Sequence, residues 1–228
     1  MLFIIDFDGT VAPTDTVDAL LEKFAHPDWR RIEQEWVDGK INSQQCMAAQ
    51  LALVSADELT LRSFLDHVMI DPSFPAFVRH VSAFADLAIV SDGIDYPIVH
   101  AMRKLGLSVP VYANRMESRP GGLGISFPFC STSCTVKSGV CKCSVTETVD
   151  AGRGLTMVLI GDGRSDQCLA HHAKFVFAKG SLIAYCRDQG IRYSPFESFA
   201  DVLATIKEWP VRPMEPRVKE RQWPSEVA

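Results

Sequence analysis

The chain has 228 residues, 47% of them hydrophobic and 22% charged, the balance of an ordinary globular protein able to build a core without disulfide or metal staples. A formal charge of −5 argues against nucleic acid or an anionic membrane as partner, yet leaves room for a locally positive site that takes a small anion. No apolar run approaches the ~20 residues that cross a bilayer, and Asp6 ends the opening apolar run too early for a signal peptide, so a cytoplasmic protein with reduced thiols is expected.

The first predicted element is Leu2–Ile5, a short apolar run with the content of a buried strand, ending on Asp6-Phe7-Asp8-Gly9-Thr10. From about residue 14 to 84 the pattern changes. Apolar residues recur at helical spacing (Val17, Leu20, Leu21, Phe24; Leu61, Phe64, Leu65, Val68), and Asp57 with Glu58 marks a helix start. Residues 13–73 are read as an inserted helical cap, and 74–85 as a helix returning to the core. A second strand is expected at 87–90, turning at Ser91-Asp92-Gly93, followed by a helix at 96–105 and a hairpin between 111 and 127 around Pro120-Gly121-Gly122. A third strand at 157–160 ends on Gly161-Asp162-Gly163, a helix follows at 164–173, and a fourth strand at 175–177 ends on Lys179-Gly180. Such strand–turn–helix repeats predict an α/β fold, a Rossmann-like parallel sheet covered on both faces, built from 1–12 and 74–208. Ligands of such sheets bind beyond the carboxyl ends of the strands, where these polar turns lie. The tail 209–228, rich in Pro and mixed charge, is expected to be an extended arm.

Side chains two apart on a strand point the same way, so Asp6 and Asp8 are expected to converge on one spot. Their repulsion calls for a cation or a shared proton, and magnesium, which prefers oxygen ligands, is the simple answer. The alternative is a solvated turn with a capping carboxylate. Gly9 permits a sharp turn, and Thr10 offers a hydroxyl or a helix cap. Asp162, at another strand end, is placed to complete the magnesium site, with Asp166 as its support or an alternative ligand. Both acids would also suit a plain helix N-terminus. Ser91 and the following Asp92-Gly93 backbone form a potential phosphate cradle at a strand end. A phosphoryl site with several carboxylates also needs an ammonium, for which Lys142, Lys137 and the more distant Lys179 are available.

Taken in order, Asp-x-Asp-Gly-Thr, Ser, Lys and Gly-Asp-Gly-x-x-Asp resemble the haloacid dehalogenase superfamily, over residues 2 to about 178. The resemblance implies a phosphatase in which Asp6 attacks phosphorus and Asp8 serves as general acid and then base. It further implies that Ser91 holds a phosphoryl oxygen, that a lysine neutralises the phosphate, and that Asp6, Asp8, Asp162 and Asp166 form the magnesium site, with the Asp8 backbone carbonyl as a ligand. The family's lysine begins a helix, which favours Lys142 over Lys137. True dehalogenases of the superfamily lack the second Asp, so its presence argues against dehalogenation. The helical insertion is similar to that of the phosphoserine phosphatase branch, whose substrate-binding Glu position is held here by Asp15; the cap segment Ser43-Gln44-Gln45-Cys46-Met47-Ala48 lacks the Arg expected to grip a substrate carboxylate. The run Phe24-Ala25-His26-Pro27-Asp28-Trp29 and the cysteine-rich stretch resemble instead the phosphatases of methionine salvage, implying an enol-containing, sugar-derived phosphate as substrate.

The expected partner is thus a small phosphorylated metabolite, bound by a monomer or homodimer, with phosphoryl transfer to another acceptor, or metabolite binding without turnover, as rival readings. Cys130, Cys134, Cys141 and Cys143 are numerous enough for zinc, a disulfide or plain thiols. His171 and His172 beside Lys174 could suggest a metal or acid–base role, but adjacent residues diverge on a helix, so surface placement is expected. Trp29 and Trp36 are read as cap core, with a substrate platform as the alternative.

Overall fold

The computed structural model describes residues 1–119, 122–134 and 137–210. Strand β1 (Leu2–Ile5) is wholly buried, as expected for a run of apolar residues that must be covered on both sides. It pairs in parallel with β2 (Asp86–Ile94) on one side and β5 (Met157–Gly161) on the other. Strand β3 (Val111–Arg119) continues the sheet beyond β2, and β6 (Phe175–Ala178) and β7 (Ser194–Pro195) continue it beyond β5. Strand β4 (Gly122–Ser126) pairs antiparallel with β3, giving the order β4-β3-β2-β1-β5-β6-β7. The turn of that hairpin, Pro120-Gly121, lies outside the described residues.

Alternating side chains of β1 feed two cores. Phe3 and Ile5 pack with α5 (Phe74–Val81), α6 (Asp95–Lys104) and α10 (Phe199–Lys207). Leu2 and Ile4 pack on the opposite face with α7 (Lys142–Asp150), α8 (Gln167–Ala170) and α9 (Gly180–Asp188). The segment between β1 and β2 begins with four helices: α1 (Thr16–Phe24), α2 (Trp29–Val37), α3 (Ser43–Leu51) and α4 (Glu58–Leu65). Side-chain caps start three of them, with Asp15 accepting from Val17 and Asp18 N–H, Asp57 from Thr60 N–H, and Asn42 and Gln45 forming a reciprocal box. Their buried residues Val17, Leu20, Leu21, Leu51, Leu61 and Leu65 share a cluster with Ile94, Leu123 and Ile125, so this helical layer rests on β2 and the β3–β4 hairpin. Among the described residues, no helix is long and apolar enough to cross a membrane.

Four expectations need correction. Ser91-Asp92-Gly93 lies inside β2 rather than in a turn, within the register shift between Val90 and Ile94. The Asp92 carboxylate, which accepts from Val140 N–H at 2.9 Å and Asn114 Nδ2 at 3.3 Å, holds this extension against β3. The helix expected at 164–173 is a 3-10 turn (Arg164–Asp166) followed by the short α8, because Asp166 folds its carboxylate back onto the N–H groups of Asp162 and Gly163. Helix α5 stops at Val81, where the Ser82 hydroxyl bonds the Val78 carbonyl at 2.8 Å. The expected arm does not begin at Trp209. That indole packs against Phe3, Phe175 and Phe177, with ring centroids 6.3, 4.6 and 6.1 Å away. The remainder of the arm, 211–228, lies outside the described residues.

Candidate active site

Asp6 follows the last residue of β1, its N–H donating to the Ile160 carbonyl, which keeps it at the carboxyl edge of the central strands. Just beyond, the Phe7 carbonyl accepts from the N–H groups of Thr10, Val11 and Ala12 at 3.1, 2.8 and 2.9 Å. This tight turn needs Gly9 at φ +70°, and a Cβ there would collide with the Asp162 carboxylate. Lys142, first residue of α7, sends a fully buried ammonium to Asp6 Oδ2 at 2.8 Å and Asp166 Oδ1 at 2.6 Å. The carboxylates of Asp6, Asp162 and Asp166 each present an oxygen within 4.8 Å of the others. Thr10 Oγ1 donates to Asp162 Oδ1 at 3.0 Å, and Ser165 Oγ to Asp6 Oδ2 at 3.4 Å.

The charge balance is informative. Three carboxylates face one ammonium, leaving two uncompensated negative charges in a largely buried place. Burial, then Asp166, push the Asp6 carboxyl well above the usual range despite Lys142. Burial and Asp166 likewise raise Asp162. Burial alone would lower Lys142, but Asp166 and Asp6 more than offset it, so its ammonium is held charged. An all-oxygen donor set with this charge deficit fits a hard divalent cation such as magnesium. Asp166 already accepts from Lys142, Asp162 N–H and Gly163 N–H, which suits it to orienting its neighbours as much as to ligation.

Asp6 and Asp8 do not converge as strict strand alternation predicts. Both line one cavity, but Asp8 Oδ1 accepts from the Thr16 N–H at 2.8 Å, turned toward the start of α1 and outside the close group of carboxylates. The chain leaves strand geometry at Ile5, so period-two alternation no longer holds at Asp8. Its side chain is therefore not placed as a metal ligand. Burial, then Asp15, push its carboxyl up to about 7. Ser91 and Gly93 also line the cavity, and a Cβ at Gly93 would overlap Asp8 Oδ2. Thr10 is buried against Asp162 and does not line the cavity, so it acts on that carboxylate rather than on a ligand. Asp92 reaches the cavity wall, yet its carboxylate also accepts from Ser43 Oγ of α3 at 2.8 Å, which makes it a tie between the helical layer and the sheet. Asp15 lines the cavity while capping α1. Lys137 is exposed, and Lys179 donates to the Thr10 carbonyl at 3.1 Å.

Arg164, Asp18 and Glu33 are among the cavity residues missed in the sequence. Trp36, read as cap core with a substrate platform as the alternative, lines the cavity with the Arg164 guanidinium 4.9 Å from its ring. Arg164 comes from the loop after β5, so a cation meets α2 from the sheet side although the α3 segment contributes none. Its place inside the Gly-Asp-Gly-Arg-Ser-Asp motif was the available signal. Trp29 packs in the helical layer, as expected. Asp18 and Glu33 add acids to that wall, with Asp18 pushed up to about 6 by burial, Asp15 and Glu33.

The haloacid dehalogenase-like hydrolase family matches residues 3–171. A 2-hydroxy-3-keto-5-methylthiopentenyl-1-phosphate phosphatase of Exiguobacterium sibiricum is 30% identical over 207 residues, covering 88% of this chain and 93% of its own. One of the same name from Brevibacillus brevis is 28% identical, covering 91% and 96%. Among solved structures, a phospho-aspartyl intermediate analogue of phosphoserine phosphatase superposes with a TM-score of 0.68 at 18% identity, covering 90% and 97%. Phosphoserine phosphatase from T. onnurineus gives 0.68 at 15%, covering 91% and 94%. The latter two speak for the fold. The chain belongs to the haloacid dehalogenase-like hydrolase family, and within it is a phosphomonoester phosphatase.

Proposed function

We propose that this haloacid dehalogenase-like phosphatase hydrolyses the phosphate ester of a small metabolite in two displacements through Asp6. The observation that carries the reading is the buried meeting of Asp6 with Lys142, Asp162 and Asp166 at the carboxyl edge of the sheet. In the first displacement an Asp6 oxygen bonds to phosphorus as the ester P–O bond breaks, and Asp8 gives its proton to the departing alkoxide. In the second, water attacks the aspartyl phosphate, Asp8 takes the water's proton, and inorganic phosphate leaves with Asp6 restored. Ser91 and the Gly93 backbone cradle the phosphoryl oxygens, and Lys142 offsets the charge on Asp6 throughout. Magnesium, held by Asp6 and Asp162 with Asp166 in support, would reduce the repulsion between carboxylate and incoming dianion.

For the substrate we favour 2-hydroxy-3-keto-5-methylthiopentenyl-1-phosphate, the compound in the names of the sequence relatives, which would place the chain in methionine salvage. The cavity's chemistry agrees. Val17, Trp36 and Met47 offer apolar surface for an uncharged tail. Release of inorganic phosphate from this enol phosphate, compared with phosphoserine and p-nitrophenyl phosphate, tests the reading. Faster turnover of phosphoserine would overturn the substrate, and magnesium-dependent turnover that survives Asp6→Asn would overturn the mechanism.

A further inference from the structure

Next to Lys142 and Asp166 in the chain, and not lining the cavity, three side chains of metal-ligating type meet that the proposed hydrolysis does not use. Cys143 is the second residue of α7, directly after Lys142, and Cys168 lies in α8, two residues after Asp166. Their sulfurs are 3.2 Å apart. His172, four residues after Cys168 and in the turn that ends α8, joins them, with one ligand atom from each of the three within 4.8 Å of the others. The cysteines are half-buried and the histidine is exposed, so an ion could enter from solvent.

We propose that Cys143, Cys168 and His172 bind a zinc-class divalent ion, with water in the fourth position, which clamps α7 to α8. Zinc takes thiolate and imidazole tetrahedrally at about 2.3 Å and 2.0–2.1 Å, which sets neighbouring ligand atoms about 3.5–3.8 Å apart. The sulfurs at 3.2 Å need to part by only a fraction of an ångström to meet that spacing. A disulfide requires about 2.05 Å, so these sulfurs would have to close by more than 1 Å. The donor set is also distinct from the oxygen-only group around Asp6, so each ion has its own chemistry. The site differs from a zinc centre within the cysteine-rich stretch, since only Cys143 of that stretch takes part. Because the clamped residues adjoin Lys142 and nearly adjoin Asp166, the ion would hold the spacing of that buried pair without touching substrate.

The metal-stripped full chain should bind one zinc in competition with a chromogenic chelator. Cobalt(II) in its place should give a thiolate charge-transfer absorption and tetrahedral visible bands. Cys143→Ser and Cys168→Ser should each weaken binding by about a hundredfold or more, beyond the cost of losing an outer-shell partner. His172→Ala should weaken it by about tenfold or more. Saturating zinc should raise the Tm of the unmutated chain by about 5 °C or more, and not that of Cys143→Ser. On the unmutated chain, zinc should shield Cys143 and Cys168 together from alkylation, read by peptide mass spectrometry, while the exposed Cys130 reacts throughout. That readout needs no variant to fold. Zinc binding that survives the double serine variant, a cobalt spectrum without thiolate absorption, or alkylation of Cys143 unaffected by zinc would each overturn the proposal.

Discussion

Replacing Lys142 by methionine keeps most of the side-chain volume and removes the ammonium, which isolates its electrostatic part. Lys142 Nζ is within 2.8 Å of Asp6 and 2.6 Å of Asp166, with almost no exposure of any of the three side chains. Removing one member of a buried ion pair costs about 3–5 kcal/mol, because the remaining charge is left without a partner. Here two carboxylates are left facing each other, so the upper part of that range is expected at pH 8. The pH dependence has a definite sign. A carboxyl without its cation has a folded-state pKa above its unfolded one, so protonation favours the folded state and the penalty is largest at high pH. Urea unfolding of Lys142→Met and the unmutated chain at pH 8 and pH 5.5 should therefore show a gap that narrows at the lower pH. Magnesium should narrow it as well. Turnover should fall by about 10²–10³-fold, the cost of one group that stabilises developing charge. A loss of under about 1 kcal/mol at pH 8 would refute the electrostatic account, since that is the worth of an exposed pair. Greater damage from Lys137→Ala than from Lys142→Met would refute the lysine assignment.

Three further outcomes follow from the same geometry. Asp8→Asn should lower kcat by about 10²–10⁴-fold through loss of general acid catalysis, with the urea midpoint nearly unchanged; unaltered steady-state turnover would remove Asp8 from the reaction. Gly93→Ala places a methyl on Asp8 Oδ2 and should cost about 1–3 kcal/mol in stability, together with a marked loss of kcat, measurable by unfolding and phosphate release. Chelation by EDTA should abolish turnover and added magnesium should restore it, and magnesium should raise the Tm of the unmutated chain more than that of Asp162→Asn.

The α/β sheet was legible because its central strands are short continuous apolar runs, a pattern that only burial on both faces explains, as Leu2–Ile5 illustrates with its two opposite cores. Helix starts were legible where a side-chain cap announced them, as at Asp57, because capping is a local interaction. Where contacts distant in the chain decide, the sequence pattern was insufficient. Ser91-Asp92-Gly93 reads as a turn, but bonds from Val140, Asn114 and Ser43 to Asp92 draw it into β2. Residues 164–173 read as one helix, but Asp166 bends its carboxylate back to its own loop while gripping Lys142. The Pro-rich tail reads as starting at Trp209, whose indole three rings of the sheet hold in place.

The sequence by itself determined which chemical groups sit at the strand ends: the acids of the two Gly-containing motifs, the serine, and a lysine that starts a helix. Their separation along the chain sets the order of elements but not the direction of a side chain once the strand has ended. Only the tertiary structure decided that Asp6, rather than Asp8, faces Asp162 and Asp166, that Lys142 is buried between two of them, and that Trp36 meets Arg164 across the cavity. The reason is that charge pairing and burial are properties of elements brought together from distant parts of the chain.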